Sequence, residues 1–270
     1  MKKMKFYLKV SMVSLAVISI AACQKDDVFN PSQPDEVMLK SAGKAKINTF
    51  NSLTVPVGNG IARAWVTENE SGEPVSVGVT LSEKALENLP AGHADFVLPL
   101  PKGKGKIFYT HVLLNWNPQG HFPPNIYGLP HFDVHFYIIS NDERMAITAN
   151  DPAMTILPPA QYVPAFHLPP QGGEPMMGAH WVDLTSPEFQ PGGRFSRTFI
   201  WGSFDGRFIF WEPMITLEYL QNLESEELIS VPQPAAFQQD GYYPVNYKIE
   251  RSASPGVIRI SMDLAYREGN

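Results

Sequence analysis

Prolines occur along the whole chain, with 25 among 270 residues. Proline lacks a backbone N–H and its ring clashes with the preceding helical turn, so a high proline content interrupts long helices. This argues against a helical bundle and favours short strands joined by irregular loops. The segment 257–266 shows the expected strand pattern, because Ile258, Ile260 and Met262 alternate with polar residues. Such a strand has one buried and one hydrated face.

Several other segments have the β-branched and aromatic composition of strands. Three predicted hairpins pair 61–66 with 75–80, 197–202 with 207–212, and 243–250 with 257–266, and further strands are predicted at 107–116 and 131–139. Short helices are expected after Ser82, as an N-cap, and at 215–223. The sequence therefore predicts a mostly-β domain, a single β-sandwich or open β-barrel with two short helices and long Pro/Gly-rich loops.

The N-terminus has the pattern of a bacterial secretion signal. Four lysines among the first nine residues precede the uncharged, mostly apolar segment 10–22, and small residues lead into Cys23. The apolar segment is shorter than the ~20 residues of a membrane span. We therefore expect a signal peptide at 1–22, a lipidated tether at 23–45 and one β-rich domain at 46–270. Lipid on Cys23 would anchor the protein in the cell envelope, with the outer membrane as the expected location.

Cys23 is the only cysteine, so an internal disulfide is excluded and the fold must rest on its core. Loss of the signal removes four lysines and no acidic residue, which changes the formal charge from −6 to −10. An acidic protein repels phosphate backbones, so nucleic acid is not an expected partner.

Histidines concentrate in one region of the chain. Within 131–137, His131, Asp133 and His135 occupy alternate positions of a predicted strand, so their side chains share one face. The residues between them are apolar and face the opposite way. Two imidazoles and a carboxylate suit a divalent metal, although this pattern does not distinguish Zn, Fe, Mn and Cu.

Distance limits this prediction. His131 and His135 are about 13 Å apart along an extended strand, so further ligands are needed from elsewhere. His121, in the Pro/Gly loop before the strand, and His180 are the candidates. Glu212 and Asp183 are candidate proton acceptors if a bound metal activates water or dioxygen, and Glu212 is also a candidate ligand.

Two other interpretations stay open. The histidines can form a structural hydrogen-bond network at the rim of the core. Alternatively, the protein is a non-catalytic module that binds a small molecule or glycan in an aromatic cleft, formed by Trp116, Tyr127, Trp181, Trp201 and Trp211. The sequence contains no G-x-S-x-G elbow, Walker loop or Rossmann fingerprint, so it gives no support for a serine esterase or a nucleotide-binding protein.

Several segments together resemble a bacterial family of unknown function, the TTHB-type domain. These are Trp116 to Tyr137, the segment 62–89 with Pro74 to Val79, the run Gly-Ala-His-Trp-Val-Asp at 178–183, and residues 202–216. The resemblance covers about residues 55–225. It implies an exported or envelope-associated β-rich domain and leaves open a homo-oligomer, but it carries no assigned activity and no ligand residues.

Overall fold

The computed structural model describes residues 46–101, 103, 105, 107–170, 172–252 and 256–270. The predicted signal peptide and the tether, including Cys23, lie outside the described residues. Every element described below lies in one compact unit that ends at residue 270. Within the described residues, no helix has the length and apolar character needed to cross a bilayer.

The described residues are mostly β and form two antiparallel sheets. The first sheet contains β1 (Asn48–Asn51), β2 (Val55–Val57), β3 (Gly60–Glu68), β4 (Pro74–Ser82), β12 (Glu226–Ser230), β13 (Gly241–Ser252) and β14 (Val257–Arg267). Its order is β1-β3-β4-β14-β13-β12, with β2 also paired to β3.

The second sheet carries the candidate site. It contains β5 (Ala94–Pro99), β6 (His111–Asn117), β7 (His131–Tyr137), β8 (His167–Leu168), β9 (Ala179–Asp183), β10 (Arg197–Phe204) and β11 (Arg207–Thr216). Its order is β5-β6-β7-β11-β10-β9-β8. The described part of the chain forms no closed barrel, and the predicted mostly-β fold is confirmed in its sandwich form.

The helices differ in part from the prediction of two. Three short α-helices are present in the described residues: α1 (Pro124–Tyr127), α2 (Asn141–Met145) and α3 (Leu217–Asn222). The last matches the predicted helix at 215–223. The helix expected after Ser82 is only a 3-10 turn over Glu83–Leu86. The Ser82 hydroxyl does not cap this turn, because it accepts a hydrogen bond from the backbone N–H of Ile61 instead.

The main core lies between the two sheets. Alternate residues of each strand enter it, among them Val79 and Ile260 from the first sheet and Val134 and Trp211 from the second. Full burial of a side chain of this size contributes about 1.5–3 kcal/mol, so a core built from many such residues can hold the fold without a disulfide.

The second sheet is buried on both of its faces. Its outer face, away from the first sheet, carries a smaller apolar cluster in which Leu113, Ile200 and Phe210 pack against residues of the connecting segments. Tyr127 from the loop region 118–130 and Phe195 from the long irregular segment before β10 belong to this cover. Every residue of β6 and β7 is buried as a result. Polar side chains on this outer face therefore lie in a covered environment.

Candidate metal centre

The central strand of the second sheet, β7, places its polar residues on the outer face. Phe132, Val134 and Phe136 belong to the core between the sheets. His131, Asp133 and His135 alternate with them and are all buried. His131 and His135 do not meet at one point, which agrees with the spacing of about 13 Å predicted for an extended strand. The structure instead divides them between two adjacent groups, each with two histidines and one carboxylate.

The first group, the Asp133 triad, consists of His121, His131 and Asp133. The Nε2 atom of His131 lies 3.0 Å from Oδ1 of Asp133, and Nε2 of His121 lies 3.5 Å from Oδ2. Each histidine donates its Nδ1–H to a backbone carbonyl, His121 to Phe122 at 2.9 Å and His131 to Leu129 at 2.6 Å. A neutral imidazole with its proton on Nδ1 presents a lone pair on Nε2. In their neutral forms the two rings would turn two lone pairs towards a carboxylate, so a cation between them, or a proton on Nε2 of each ring, would stabilise the group. Nε2 of His131 also lies 3.5 Å from the amide Nδ2 of Asn117.

The loop that carries His121 has a fixed shape. Gly120 adopts a φ of +67°, and a Cβ there would lie 2.0 Å from the carbonyl oxygen of Tyr127. Only glycine fits this close approach. The His121 ring packs against the Tyr127 ring, with centroids 5.7 Å apart, and against the His131 ring at 4.7 Å. The loop thus holds the His121 ring against β7.

Asp133 has a further partner in Asn117 on β6. The Asn117 amide Nδ2 donates to Oδ2 of Asp133 at 2.7 Å. Burial would raise the pKa of Asp133, but the positive charge of His131 and hydrogen bonds from His121 and His131 hold it well below the usual range. Burial would likewise lower the pKa of His121, yet the hydrogen bond to Asp133 and the charge of that residue raise it. The buried carboxyl group of Asp133 therefore favours its ionised form, in which it can bind a cation.

The second group, the Glu212 triad, consists of His135, His180 and Glu212. Nε2 of His135 lies 3.3 Å from Oε1 of Glu212, and Nε2 of His180 lies 3.6 Å from Oε2. Both ring nitrogens of His135 and Oε2 of Glu212 are buried and have no hydrogen-bond partner within the described residues. A buried polar atom without a partner costs about 1–3 kcal/mol. A metal ion or another ligand bound here would give these buried atoms the partners that they lack.

Burial also sets the charges of the Glu212 triad. It raises the pKa of Glu212 well above the ordinary value, with a smaller contribution from the charge of Asp133. Burial lowers the pKa of His135 to about 3 and that of His180 to about 4. Burial therefore favours the neutral form of all three groups in the absence of a cation, in contrast to Asp133, whose ionised form is favoured.

Three strands bring the Glu212 triad together. Trp211 pairs with Phe136 and Met214 pairs with Asp133, which places Glu212 level with His135 on the neighbouring strand. His180 lies on β9, opposite Gly202 of β10. A Cβ at Gly202 would lie 2.0 Å from the Phe210 ring, so the ring lies directly over this glycine. The Phe210 ring contacts both triad histidines, at centroid distances of 4.9 Å from His135 and 5.1 Å from His180.

The candidate ligand atoms of each triad lie within 4.8 Å of one another. Four N or O ligands at about 2.0–2.1 Å in tetrahedral geometry are separated by about 3.3–3.4 Å. Each histidine nitrogen lies 3.0–3.6 Å from one oxygen of its carboxylate, and the two histidines of a triad face different oxygens. Each triad could supply three ligands to a metal ion, which would leave a fourth position for water, as in catalytic zinc sites.

Comparison with known proteins finds similarity to one family over part of the chain, and no activity. Residues 69–116 match the model of the TTHB210-like family. That family is described as hypothetical protein TTHB210. This confirms the predicted resemblance over β4, β5 and most of β6, and the match ends before the histidines of both triads. The chain matches no curated protein and no solved structure.

The TTHB210-like segment contributes to the site through β6, the strand beside β7. Asn115 and Asn117 of β6 pair with Asp133 and His131 of β7. Asn117, which bonds to Asp133, lies one residue beyond the matched segment. The family match therefore covers most of the strand that supports the Asp133 triad, but neither triad itself.

Of the two candidate proton acceptors, Asp183 lies outside the two triads and Glu212 belongs to one of them. Asp183 is separated from His180 by three positions on β9, which places the two side chains on opposite faces. Its Oδ1 accepts hydrogen bonds from the backbone N–H and the hydroxyl of Thr185. Glu212, by contrast, lies in direct reach of two histidines. The role of either residue as a proton acceptor stays a prediction.

Both triads approach the surface through one histidine each. The side chain of His121 is 37% exposed and that of His180 is 24% exposed, while every other triad side chain is at most 5% exposed. Both rings lie on the outer face of the second sheet, because His121 packs on Tyr127 and His180 packs on Phe210, two residues of the outer cluster. The exposed histidines of the two triads are therefore on the same face of the sheet.

Proposed function

We propose that this protein binds divalent transition-metal ions through the Asp133 and Glu212 triads. The observation that carries the proposal is the orientation of His121 and His131, which both donate Nδ1–H to backbone carbonyls and turn Nε2 towards one carboxylate. Metal-bound histidines generally fix their free nitrogen in this way. A purely structural network would be expected to satisfy its buried atoms, whereas both nitrogens of His135 have no hydrogen-bond partner within the described residues.

The donor set of two histidines and one carboxylate suits zinc and non-haem iron(II). A metal held this way lowers the pKa of a bound water to about 7. The chain itself would orient the ligands through the backbone carbonyls, keep the carboxylates buried and limit water access to the side of His121 and His180. We propose a hydrolytic or dioxygen-activating role on this basis.

We further propose that the protein is an envelope lipoprotein anchored through Cys23. The support is the basic N-terminus, the short apolar segment and the small residues before the lone cysteine. The acidic charge of the mature chain supports a partner other than nucleic acid.

Metal binding is tested by elemental analysis and calorimetric titration of the full chain, purified in detergent without a histidine tag. We expect near-stoichiometric binding of Zn, Fe, Mn or Cu by the wild-type protein and a large loss in a His131→Asn, Glu212→Gln double variant. His111→Asn is the matched control, because His111 is also buried on the second sheet but belongs to neither triad. Equal binding by the double variant and the wild type would contradict the proposal.

A second candidate is capture of a small molecule in an aromatic cleft. A cavity of about 200 Å³ is lined by Trp201, Trp211 and four further aromatic residues. The other three predicted residues lie elsewhere: Trp116 and Trp181 pack in the core between the sheets, and Tyr127 covers His121. Ligand pockets usually measure about 300–1,000 Å³, so this cavity is small for a drug-sized ligand. The triads therefore support the metal proposal better.

A further inference from the structure

The two triads share the strand β7 at neighbouring positions. Asp133 of the first triad and His135 of the second are alternate residues on one face, about 6.6 Å apart at 3.3 Å per residue. Two ions bound in the triads would therefore lie close together in a covered environment.

The charge balance of such a pair is incomplete. Two divalent cations bring four positive charges, and the triads offer two carboxylates, Asp133 and Glu212. A net charge of about +2 in a medium of low dielectric constant binds an anion strongly. The backbone positions of Asp133 and His135 are about 6.6 Å apart, which is longer than the 3.5–4 Å that separates two ions sharing a single oxygen. An oxyanion that offers one oxygen to each ion spans the longer gap.

The openings of the triads suit such a ligand. His121 and His180, the exposed members of the two groups, both lie on the outer face of the second sheet. The fourth coordination positions of both ions can therefore be reached from one side. The Phe210 ring, which packs on His135 and His180, gives the Glu212 triad an apolar wall that excludes water.

We propose that the two triads form one paired two-ion centre that binds an oxyanion of the phosphate class across its two metal ions. This inference rests on the proposed metal binding and adds to it the pairing of the ions and the class of the ligand.

The test uses the full chain in detergent, loaded with Cu²⁺ and examined by electron paramagnetic resonance. We expect two ions per chain, and a spin–spin coupling that appears only when more than one equivalent of copper is added. Inorganic phosphate should bind the doubly loaded protein at least about tenfold more tightly than the singly loaded protein. Because this titration uses wild-type protein, its result does not depend on the folding of a variant.

Two variants provide the matched comparison. His131→Asn should leave only the Glu212 site, and Glu212→Gln only the Asp133 site, so each should bind one ion without coupling and bind phosphate weakly. Two ions per chain without coupling, or phosphate affinity equal in all three proteins, would overturn the paired centre and leave the proposed metal binding intact. Failure to bind any metal would overturn both.

Discussion

His131 and Asp133, two residues apart on one strand, face each other at 3.0 Å between Nε2 and Oδ1, while Nδ1 of His131 is held by the Leu129 carbonyl. This relationship fixes which nitrogen of His131 is available as a ligand. It also orients the lone pair towards a carboxylate that Asn117 holds from the other side. The loop before β7 holds the His131 ring, β7 supplies the Asp133 carboxylate, and β6 supplies the amide that holds this carboxylate.

Asn117 should tune metal affinity without being a ligand. Asn117→Leu removes the amide that donates to Oδ2 of Asp133 at 2.7 Å. Loss of such a supporting hydrogen bond typically costs about 10–100-fold in metal affinity. Calorimetric titration should show this loss at one site only. Asn115→Leu is the control, because Asn115 is buried on the same strand but bonds to Asp95. An equal loss in both variants would indicate a general packing defect.

Gly202 should be required for the position of Phe210. In Gly202→Ala the new Cβ would meet the Phe210 ring at 2.0 Å. Overpacking of this kind costs about 1–3 kcal/mol in the free energy of unfolding, measured by denaturant titration. Gly92→Ala provides the contrast, since a Cβ there meets nothing within 4 Å, and its effect should stay within about 0.5 kcal/mol. A neutral Gly202→Ala would show that the ring is free to move.

The sequence predicted much of this structure, because several signals are local. The alternation along β14 and the shared face of His131, Asp133 and His135 follow from the two-residue period of a strand. Other features depend on contacts between distant segments. Glu212 lies beside His135 because of the register between β11 and β7. His180 reaches Glu212 because β10 and then β9 follow β11 in the sheet. A single sequence does not encode these registers in any local pattern.

The helix predicted after Ser82 is present only as a short 3-10 turn, Glu83–Leu86, for a similar reason. Ser82 is a good N-cap by residue type. Its hydroxyl instead accepts a hydrogen bond from the backbone N–H of Ile61, which is distant in sequence. The short strands β1, β2, β5, β8, β9 and β12 were also not predicted. Most contain five residues or fewer, too short for a clear alternation.

His111 should make the metal-free protein less stable in acid. Burial and then the charge of Arg144 lower its pKa to about 4. An unfolded chain has the ordinary value near 6.5. Between pH 6.5 and about 4 the unfolded state therefore binds a proton that the folded state does not, and stability is lost as the pH falls. The share of this loss that comes from His111 should reach about 3 kcal/mol at pH 4, in addition to the losses from His135 and His180, whose pKa values are also lowered.

The check is denaturant unfolding in a chelator at several pH values. His111→Phe keeps a ring stacked on Tyr137, which lies parallel to His111 at a centroid distance of 5.0 Å. This variant should have a shallower dependence of stability on pH than the wild type. The same slope in both proteins would show that His111 does not titrate as described.

Lipid attachment should depend on Cys23 alone. Cys23→Ser leaves no cysteine in the chain, so metabolic labelling with radioactive palmitate should give a labelled wild-type protein and an unlabelled variant. The variant should also leave the membrane fraction. Labelled Cys23→Ser protein, or a wild-type chain of unprocessed mass, would contradict the lipoprotein proposal.

The most direct measurement is anomalous X-ray diffraction from crystals of the full chain loaded with zinc, with data collected on both sides of the zinc absorption edge. The proposed metal binding predicts a strong anomalous peak about 2.0–2.2 Å from Nε2 of His131, Nε2 of His121 and a carboxylate oxygen of Asp133, with a second peak among the ligands of the Glu212 triad. Crystals that hold zinc only at the surface, with direct hydrogen bonds closing both triads, would contradict it.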